Sequence, residues 1–362
     1  MQKIKAGNYS VYIGLNVFQE LNEFLDQNNY SKVFLLVDEN TVQFCISDLT
    51  AKVKKLEDAE IIETKSGEEN KTIEVCMQIW RVLTALKADR KSLVINLGGG
   101  VLSDLGGFAA TTFKRGVDYI NIPTTLLAQV DASIGGKTGV DFDHLKNQIG
   151  LFSNPKAVFI FPAFLKTLSK KQILSGFAEV IKHALIADEE YWKFIKNFNP
   201  AYPDWDYIIY NSVQIKNDIV LQDPEEKGLR KRLNFGHTIG HAFETLFLES
   251  GQPALLHGEA VAAGIFCEAF LSYKKAGLEH TQLDDICGFL LKMYKPISFH
   301  RDDIERLLEI MLQDKKNENG QILFTLISKA GNALVNVKCE IHIIKKSLEF
   351  YLMHASMLES HK

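Results

Sequence analysis

What most constrains this chain is a series of short apolar runs, each closing on a polar or glycine turn, spread through its first 165 residues. Lys32–Val37 reads KVFLLV and stops at Asp38. Leu93–Leu97 reads LVINL and stops at Gly98-Gly99-Gly100. Apolar runs without alternation are strands buried on both faces, as in a parallel sheet. Val11–Ile13, Ile61–Glu63, Tyr119–Ile122 and Ala157–Phe161 are further strand candidates. Between two of them, Lys71–Ala88 repeats apolar Ile73, Met77, Trp80, Leu83 and Leu86 at three- and four-residue steps, which predicts a helix. In such a sheet ligands bind beyond the carboxyl ends of the strands.

After residue 165 the pattern becomes helical. Segments 171–187, 205–221, 236–248, 257–276, 282–292 and 302–313 carry helical periodicity, with one possible hairpin at Gln321–Ile327 and Ala333–Val337. The expected organisation is an α/β nucleotide-binding domain over 1–165 and a mainly α-helical domain over 166–362. A chain of 362 residues, 46% hydrophobic and 24% charged, can bury cores for both. Its net charge of −4 gives no basic field for nucleic acid, and no apolar run approaches the roughly 20 residues of a membrane span. The opening MQKIKAGNYSVYIG has no signal-like apolar region. Cys45, Cys76, Cys267, Cys287 and Cys339 are odd in number and form no CxxC pair. Reduced thiols in a cytoplasmic protein are the expectation.

Three features carry candidate chemistry. The first is Gly98-Gly99-Gly100, which follows a strand and opens a helix. Glycines let the backbone approach a pyrophosphate, and the helix start offers N–H donors. Asp38-Glu39-Asn40, ending an earlier strand, could meet ribose hydroxyls; a helix N-cap is the plain alternative for Asp38. Ser66-Gly67-Glu68 and Lys71 make another polar turn, for which capping is again the alternative.

The second is the stretch from Arg115 to Gly150. It holds Pro123-Thr124-Thr125, then Asp131-Ala132-Ser133-Ile134-Gly135-Gly136-Lys137-Thr138, then Lys146-Asn147. The GGKT string is not a phosphate loop, because Asp131 stands where the first glycine is required. What remains is cations among glycine and hydroxyl residues, suited to an anionic substrate.

The third is a set of histidines and acids. His237 and His241 stand at i and i+4 on one helix face, His257 and Glu259 open another helix, and Glu179, Lys182 and His183 lie upstream. A carboxylate with two imidazoles would suit a zinc-like ion that keeps an open position. Spacing alone leaves several triads open among Glu179, His183, His237, His241, His257 and Glu259.

The strings GGGVLSDLGGFAATTFKRGVDYINIPTTLLAQVDASIGGKTGVDFDHLKNQIG, GFAEVIKHALI, KNDIVLQDPEEKGLRKRLNFGHTIGHAFE and LHGEAVAAG resemble the 3-dehydroquinate synthases, which are sugar phosphate cyclases. The resemblance runs from about residue 35 to residue 330. It implies a Rossmann-like NAD-binding domain followed by a helical metal- and substrate-binding domain. It implies the metal ligands Glu179, His237 and His257, holding Zn2+ or Co2+, with His183 and Glu259 as supports. NAD contacts would come from Asp38, Asn40, Glu68, Lys71, Gly99, Gly100, Asp104, Thr124, Thr125, Lys137 and Lys146. Lys137, Lys182, Arg230, Asn234 and His241 would serve catalysis. Arg115, Asp131, Lys146, Asn147 and Lys216 would bind substrate, with a further lysine at Lys315 or Lys316, Lys316 being favoured. An arginine at the position of Arg115 reaches the neighbouring subunit's site in the family, which implies a homodimer. Two departures stand out: Ala132 replaces a usual serine, and Phe164-Leu165-Lys166-Thr167-Leu168-Ser169 replaces a usual Asp-Thr-Leu-Pro.

The implied reaction converts 3-deoxy-D-arabino-heptulosonate 7-phosphate to 3-dehydroquinate and phosphate, a step of aromatic amino acid biosynthesis. The competing readings are another sugar phosphate cyclase, a metal-dependent polyol dehydrogenase, which would release NADH stoichiometrically, and an inactive binding protein.

Overall fold

The apolar runs form the heart of a seven-stranded sheet in the computed structural model of the chain, which describes residues 1–143, 145–313 and 321–359. In chain order the strands of the first half are β1 (Gln2–Ala6), β2 (Tyr9–Ile13), β3 (Val33–Asp38), β4 (Glu60–Thr64), β5 (Leu93–Gly98), β6 (Asp118–Pro123), β7 (Lys137–Phe142), β8 (Leu145–Phe152) and β9 (Ala157–Ile160). The large sheet runs β1-β2-β9-β6-β5-β3-β4. Its edge pair β1–β2 is antiparallel, and every pairing from β2 onward is parallel. β7 and β8 form a separate antiparallel hairpin.

The helices accompanying this sheet are α1 (Val17–Gln27), α2 (Glu39–Phe44), α3 (Ile46–Lys52), α4 (Ile73–Ala85) and α5 (Gly100–Thr112). Both faces of the sheet are covered, which explains the unbroken apolar runs. Leu35 and Val37 pack with Phe18 and Leu21 of α1 and Leu49 of α3. Phe34 and Leu36, pointing the other way, pack with Ile79 and Leu83 of α4 and Leu105 of α5.

The chain groups into two units. One comprises 1–173 with 204–221, the other 174–203 with 222–362. This grouping differs from a cut after residue 165 in residues 166–173, which fall in the first unit, and in one later helix. After α6 (Lys170–Ala187) and α7 (Glu189–Lys196) comes α8 (Trp205–Gln222), which belongs with the first unit. Polar side chains hold it there: the Asn217 amide donates to the Lys5 carbonyl at 3.2 Å, and the Lys216 ammonium meets Asp131.

The second unit is built on α9 (His237–Glu249), α10 (His257–Lys275), α11 (His280–Met293) and α12 (Asp303–Leu312), with strands β10 (Leu323–Lys329) and β11 (Asn332–Lys338) and a last helix, α13 (Ile341–Glu359). α10 is buried at every position from Ala260 to Ser272. A helix apolar all round belongs at the centre of a bundle, and α9, α11, α13 and β10 all pack on it. The β10–β11 hairpin is the one expected from the sequence. β1, the β7–β8 hairpin, α7 and α13 were not expected.

Candidate active site

A carboxylate inside a helix core must be matched by donors or cations. Glu179 is fully buried on α6. Lys182, one turn along and also buried, sets its ammonium against the Glu179 carboxylate. The other carboxylate oxygen, Oε1, faces Nε2 of His237 and Nε2 of His257, each at 3.5 Å. One potential ligand atom from each of the three residues lies within 4.8 Å of the others. One carboxylate oxygen and two imidazole nitrogens are a donor set that fits a zinc-type ion and leaves a coordination position for another molecule.

Local sequence explains the convergence. His237 is the first residue of α9 and His257 the first of α10, so both rings stand at helix starts. Gly258 lets α10 reach α6: a Cβ there would lie 1.9 Å from the Ser175 carbonyl oxygen, and the Gly258 N–H donates to the Ser175 hydroxyl at 3.0 Å. Any other residue after His257 would push the two helices apart. Glu259 accepts the Leu256 N–H at 2.8 Å, capping α10.

The outer nitrogens are also engaged. Nδ1 of His237 lies 3.2 Å from the Phe235 carbonyl, which suits a proton on Nδ1 and a free lone pair on Nε2. Nδ1 of His257 lies 3.3 Å from Glu244. Burial, aided by the Lys182 charge, holds the His237 pKa well below the usual imidazole range, so this ring is neutral and ready to ligate. For His257 burial acts the same way, but the Glu244 and Glu179 carboxylates outweigh it and push the pKa up to about 10. An incoming metal must displace that proton.

His241, Glu244 and His257 form a second group with ligand atoms within 4.8 Å. It shares His257, and its Glu244 already bonds the outer nitrogen of that ring. His241 stands 5.3 Å from His237, ring to ring. His183 is fully buried one turn beyond Glu179. In the same unit the buried Arg230 donates from Nη1 to the Pro224 carbonyl at 2.7 Å, and Asp223 accepts the backbone N–H groups of Lys227, Gly228 and Arg230. Asn234 donates to Glu226 at 3.0 Å.

In the first unit the strand order reverses between β3 and β5, since β4 lies outside β3 while β6 and β9 continue beyond β5. The carboxyl ends of the two strands at such a switch point frame a nucleotide site. There stand Asp38 and Gly98-Gly99-Gly100. Gly99 caps α5 without a side-chain bond, so this helix start offers backbone donors and a positive dipole end. Thr124 donates its N–H to the Gly98 carbonyl at 2.9 Å, and Thr125 packs on Gly99. Asp38 is the N-cap of α2, accepting the Thr41 N–H at 2.8 Å, the alternative role foreseen for it. Asn40 and Glu68 are exposed near these turns.

Lys71 is buried, and its ammonium meets the Asp104 carboxylate and the Asn147 side-chain oxygen, both at 2.6 Å. It thereby ties the β7–β8 hairpin to α5. That hairpin carries Lys137, Lys146 and Asn147, all exposed. Gly135 and Gly136 take positive φ and lead into strand β7, not into a helix, so GGKT is no phosphate loop. Lys216 bonds Asp131 through its carboxylate at 2.9 Å and its carbonyl at 2.7 Å. Arg115 is exposed on a turn with φ +66°. Lys315 and Lys316 lie outside the described residues.

Residues 61–175 match the family described as 3-dehydroquinate synthase N-terminal, and residues 176–317 match 3-dehydroquinate synthase C-terminal. The 3-dehydroquinate synthase of Parabacteroides distasonis is 44% identical over 344 residues, covering 94% of this chain and 97% of its own length. The chain belongs to the 3-dehydroquinate synthase family. Its fold is shared with the 2-epi-5-epi-valiolone synthase ValA of Streptomyces hygroscopicus, solved with NAD+ and Zn2+ bound (TM-score 0.84, 24% identity, 98% of this chain and 99% of that one). A 2-deoxy-scyllo-inosose synthase, solved with carbaglucose-6-phosphate, NAD+ and Co2+, has the same fold (TM-score 0.82, 21% identity, 96% and 99% covered).

The synthase motifs named the residues at the centre of the site but passed over Glu244. A signal for it existed: it stands three residues after His241 and seven after His237, on the ligand face of α9.

Proposed function

We propose that this chain converts 3-deoxy-D-arabino-heptulosonate 7-phosphate to 3-dehydroquinate and phosphate. The observation that carries the reading is the meeting of Glu179, His237 and His257 at one point of a chain that belongs to this synthase family. The net reaction is redox-neutral: a substrate hydroxyl is oxidised, phosphate leaves by elimination, the carbonyl is reduced again and an internal aldol addition closes the ring. NAD would supply a reversible hydride acceptor, and a Zn2+ or Co2+ ion a Lewis acid.

The protein's own groups would bind and orient. Glu179, His237 and His257 hold the ion, with Lys182 balancing the Glu179 charge. Gly99, Gly100 and the start of α5 receive the pyrophosphate, with Asp38, Asn40, Glu68, Thr124 and Thr125 around the nucleotide. Lys71 and Asp104 fix the hairpin beside it. Lys137, Asn147, Asn234, His241 and Arg115 are assigned to the substrate phosphate, and Lys146, Lys216 and Arg230 to its carboxylate end, with Lys316 as a further substrate contact and Asp131 orienting Lys216. Fixed charges of this kind need no reorganisation as the reaction proceeds. Arg115 is assigned to the site of a second copy, making the enzyme a homodimer. Among the described residues no helix is long and apolar enough to cross a membrane, and a cytoplasmic location accords with the five free cysteines.

The test is to supply purified protein with divalent metal, the heptulosonate phosphate and NAD far below substrate concentration. Phosphate and dehydroquinate should form together over many turnovers with no net NADH. Accumulation of NADH up to the NAD supplied, without phosphate, would mark a dehydrogenase and end this reading.

A further inference from the structure

Helix α9 begins with a defect. Its N-cap, Gly236, has φ +81° and no side chain to receive the free N–H groups of the first turn. A capping side chain cannot be installed there, because a Cβ would lie 2.5 Å from Ile265 Cγ1 and 3.0 Å from the Val261 carbonyl oxygen. The missing acceptor comes from another helix. Glu268 of α10, fully buried, accepts the Gly236 N–H at 2.6 Å through Oε2 and the Ile239 N–H at 3.2 Å through Oε1.

These are the two bonds of a capping box, in which an N-cap side chain takes the third N–H and an acid takes the N-cap N–H. Here one carboxylate makes both. It also places a negative group at the positive end of the helix. His237 lies between the two bonded residues, and its Nδ1 faces the carbonyl of Phe235, the residue before Gly236. The backbone that Glu268 grips is therefore the backbone that aims the His237 ring.

We propose that Glu268 is a positioning residue for His237, fixing the start of α9 so that His237 Nε2 points at the Glu179 carboxylate. This rests on the reading of His237 as a metal ligand. Removing an outer-shell partner of a ligand typically weakens metal binding about 10- to 100-fold.

The experiment titrates metal-free protein with cobalt against a chromophoric chelator and records the visible spectrum of the cobalt protein. Glu268→Gln keeps the shape but not the charge; it should bind cobalt at least about tenfold more weakly, with shifted bands. Glu268→Asp keeps the charge and should recover part of the affinity. Ser272→Ala, in the same helix, removes the hydroxyl bonded to the Ile327 N–H; it should lower the melting temperature and leave affinity and spectrum as in the wild type. The proposal is overturned if Glu268→Gln binds cobalt like the wild type, or if Ser272→Ala weakens binding equally. Should Glu268→Gln fail to fold, Glu268→Asp decides alone: weaker binding with an altered spectrum supports the role, and wild-type behaviour overturns it. A wild-type protein that takes up no cobalt defeats the ligand assignment itself and this inference with it.

Discussion

Nδ1 of His257 lies 3.3 Å from Oε1 of Glu244, while Nε2 of the same ring faces Glu179 at 3.5 Å. The ring thus spans two carboxylates from different helices, one on the side of the candidate metal site and one behind. A carboxylate behind a ligating imidazole fixes its tautomer and raises its basicity. Glu244→Gln should therefore weaken zinc or cobalt affinity about 10- to 100-fold. Chelator competition measures this, and an unchanged affinity would refute the supporting role.

Gly258 is a point of close approach of α10 to α6, with Ser175 opposite. Gly258→Ala should cost about 1–3 kcal/mol in urea unfolding, the usual penalty of overpacking. It should also lower metal occupancy, because His257 must retreat from Glu179. An alanine variant with full occupancy and wild-type stability would show that the helices adjust without moving the ligand.

Lys71 neutralises Asp104 inside the first unit. Lys71→Met should destabilise by about 1–3 kcal/mol, the cost of leaving a partly buried carboxylate without its partner. Adding Asp104→Asn should restore part of that loss. A double variant no better than Lys71→Met would mean that the pair's charge is not what matters.

The same pair sets a pH dependence. Burial alone would lower the Lys71 pKa, but the Asp104 and Glu68 carboxylates overcome it and raise it to about 12, above the unfolded value of 10.5. The folded protein then holds a proton that the unfolded chain releases. Its contribution to stability is complete below pH 10.5 and is lost as the pH rises through about 12. Melting curves of the wild type should fall over this window more steeply than those of Lys71→Met; parallel curves would refute the assignment.

Arg230 is buried and held from both sides, by the Pro224 carbonyl on its side chain and by Asp223 on its N–H. Arg230→Ala should lower kcat/KM by at least about tenfold, or ~1.4 kcal/mol of barrier. Steady-state kinetics with the heptulosonate phosphate checks it, and wild-type efficiency would remove Arg230 from the substrate site.

The parallel sheet was legible because its strands are buried on both faces, which leaves apolar runs such as KVFLLV with no competing periodicity. The β7–β8 hairpin was not: Lys137–Phe152 mixes glycines and charges, and outside the large sheet it is held by its cross-strand bonds, by Lys71 and by the packing of β7 on α5. Its cations were legible as chemistry, its strands were not. On the metal side, helical spacing put His237 and His241 on one face but could not choose among the triads, because the choice depends on how α6, α9 and α10 meet. Glu244 shares a helix face with His237 and His241 in the sequence, while nothing local marks Glu268. Only the packing of α9 against α10 turns them into partners of His257 and of the start of α9.

His257 and Glu268 are eleven residues apart on α10, about three full turns, so they project from nearly the same side of it. The helix therefore acts as a gauge: it sets one imidazole at its tip and one carboxylate at a fixed distance and angle further along. Deleting a single residue between them would swing Glu268 by about 100° away from α9. Insertions and deletions in this stretch should be far less tolerated than in the loops on either side, even where composition and hydrophobicity are kept.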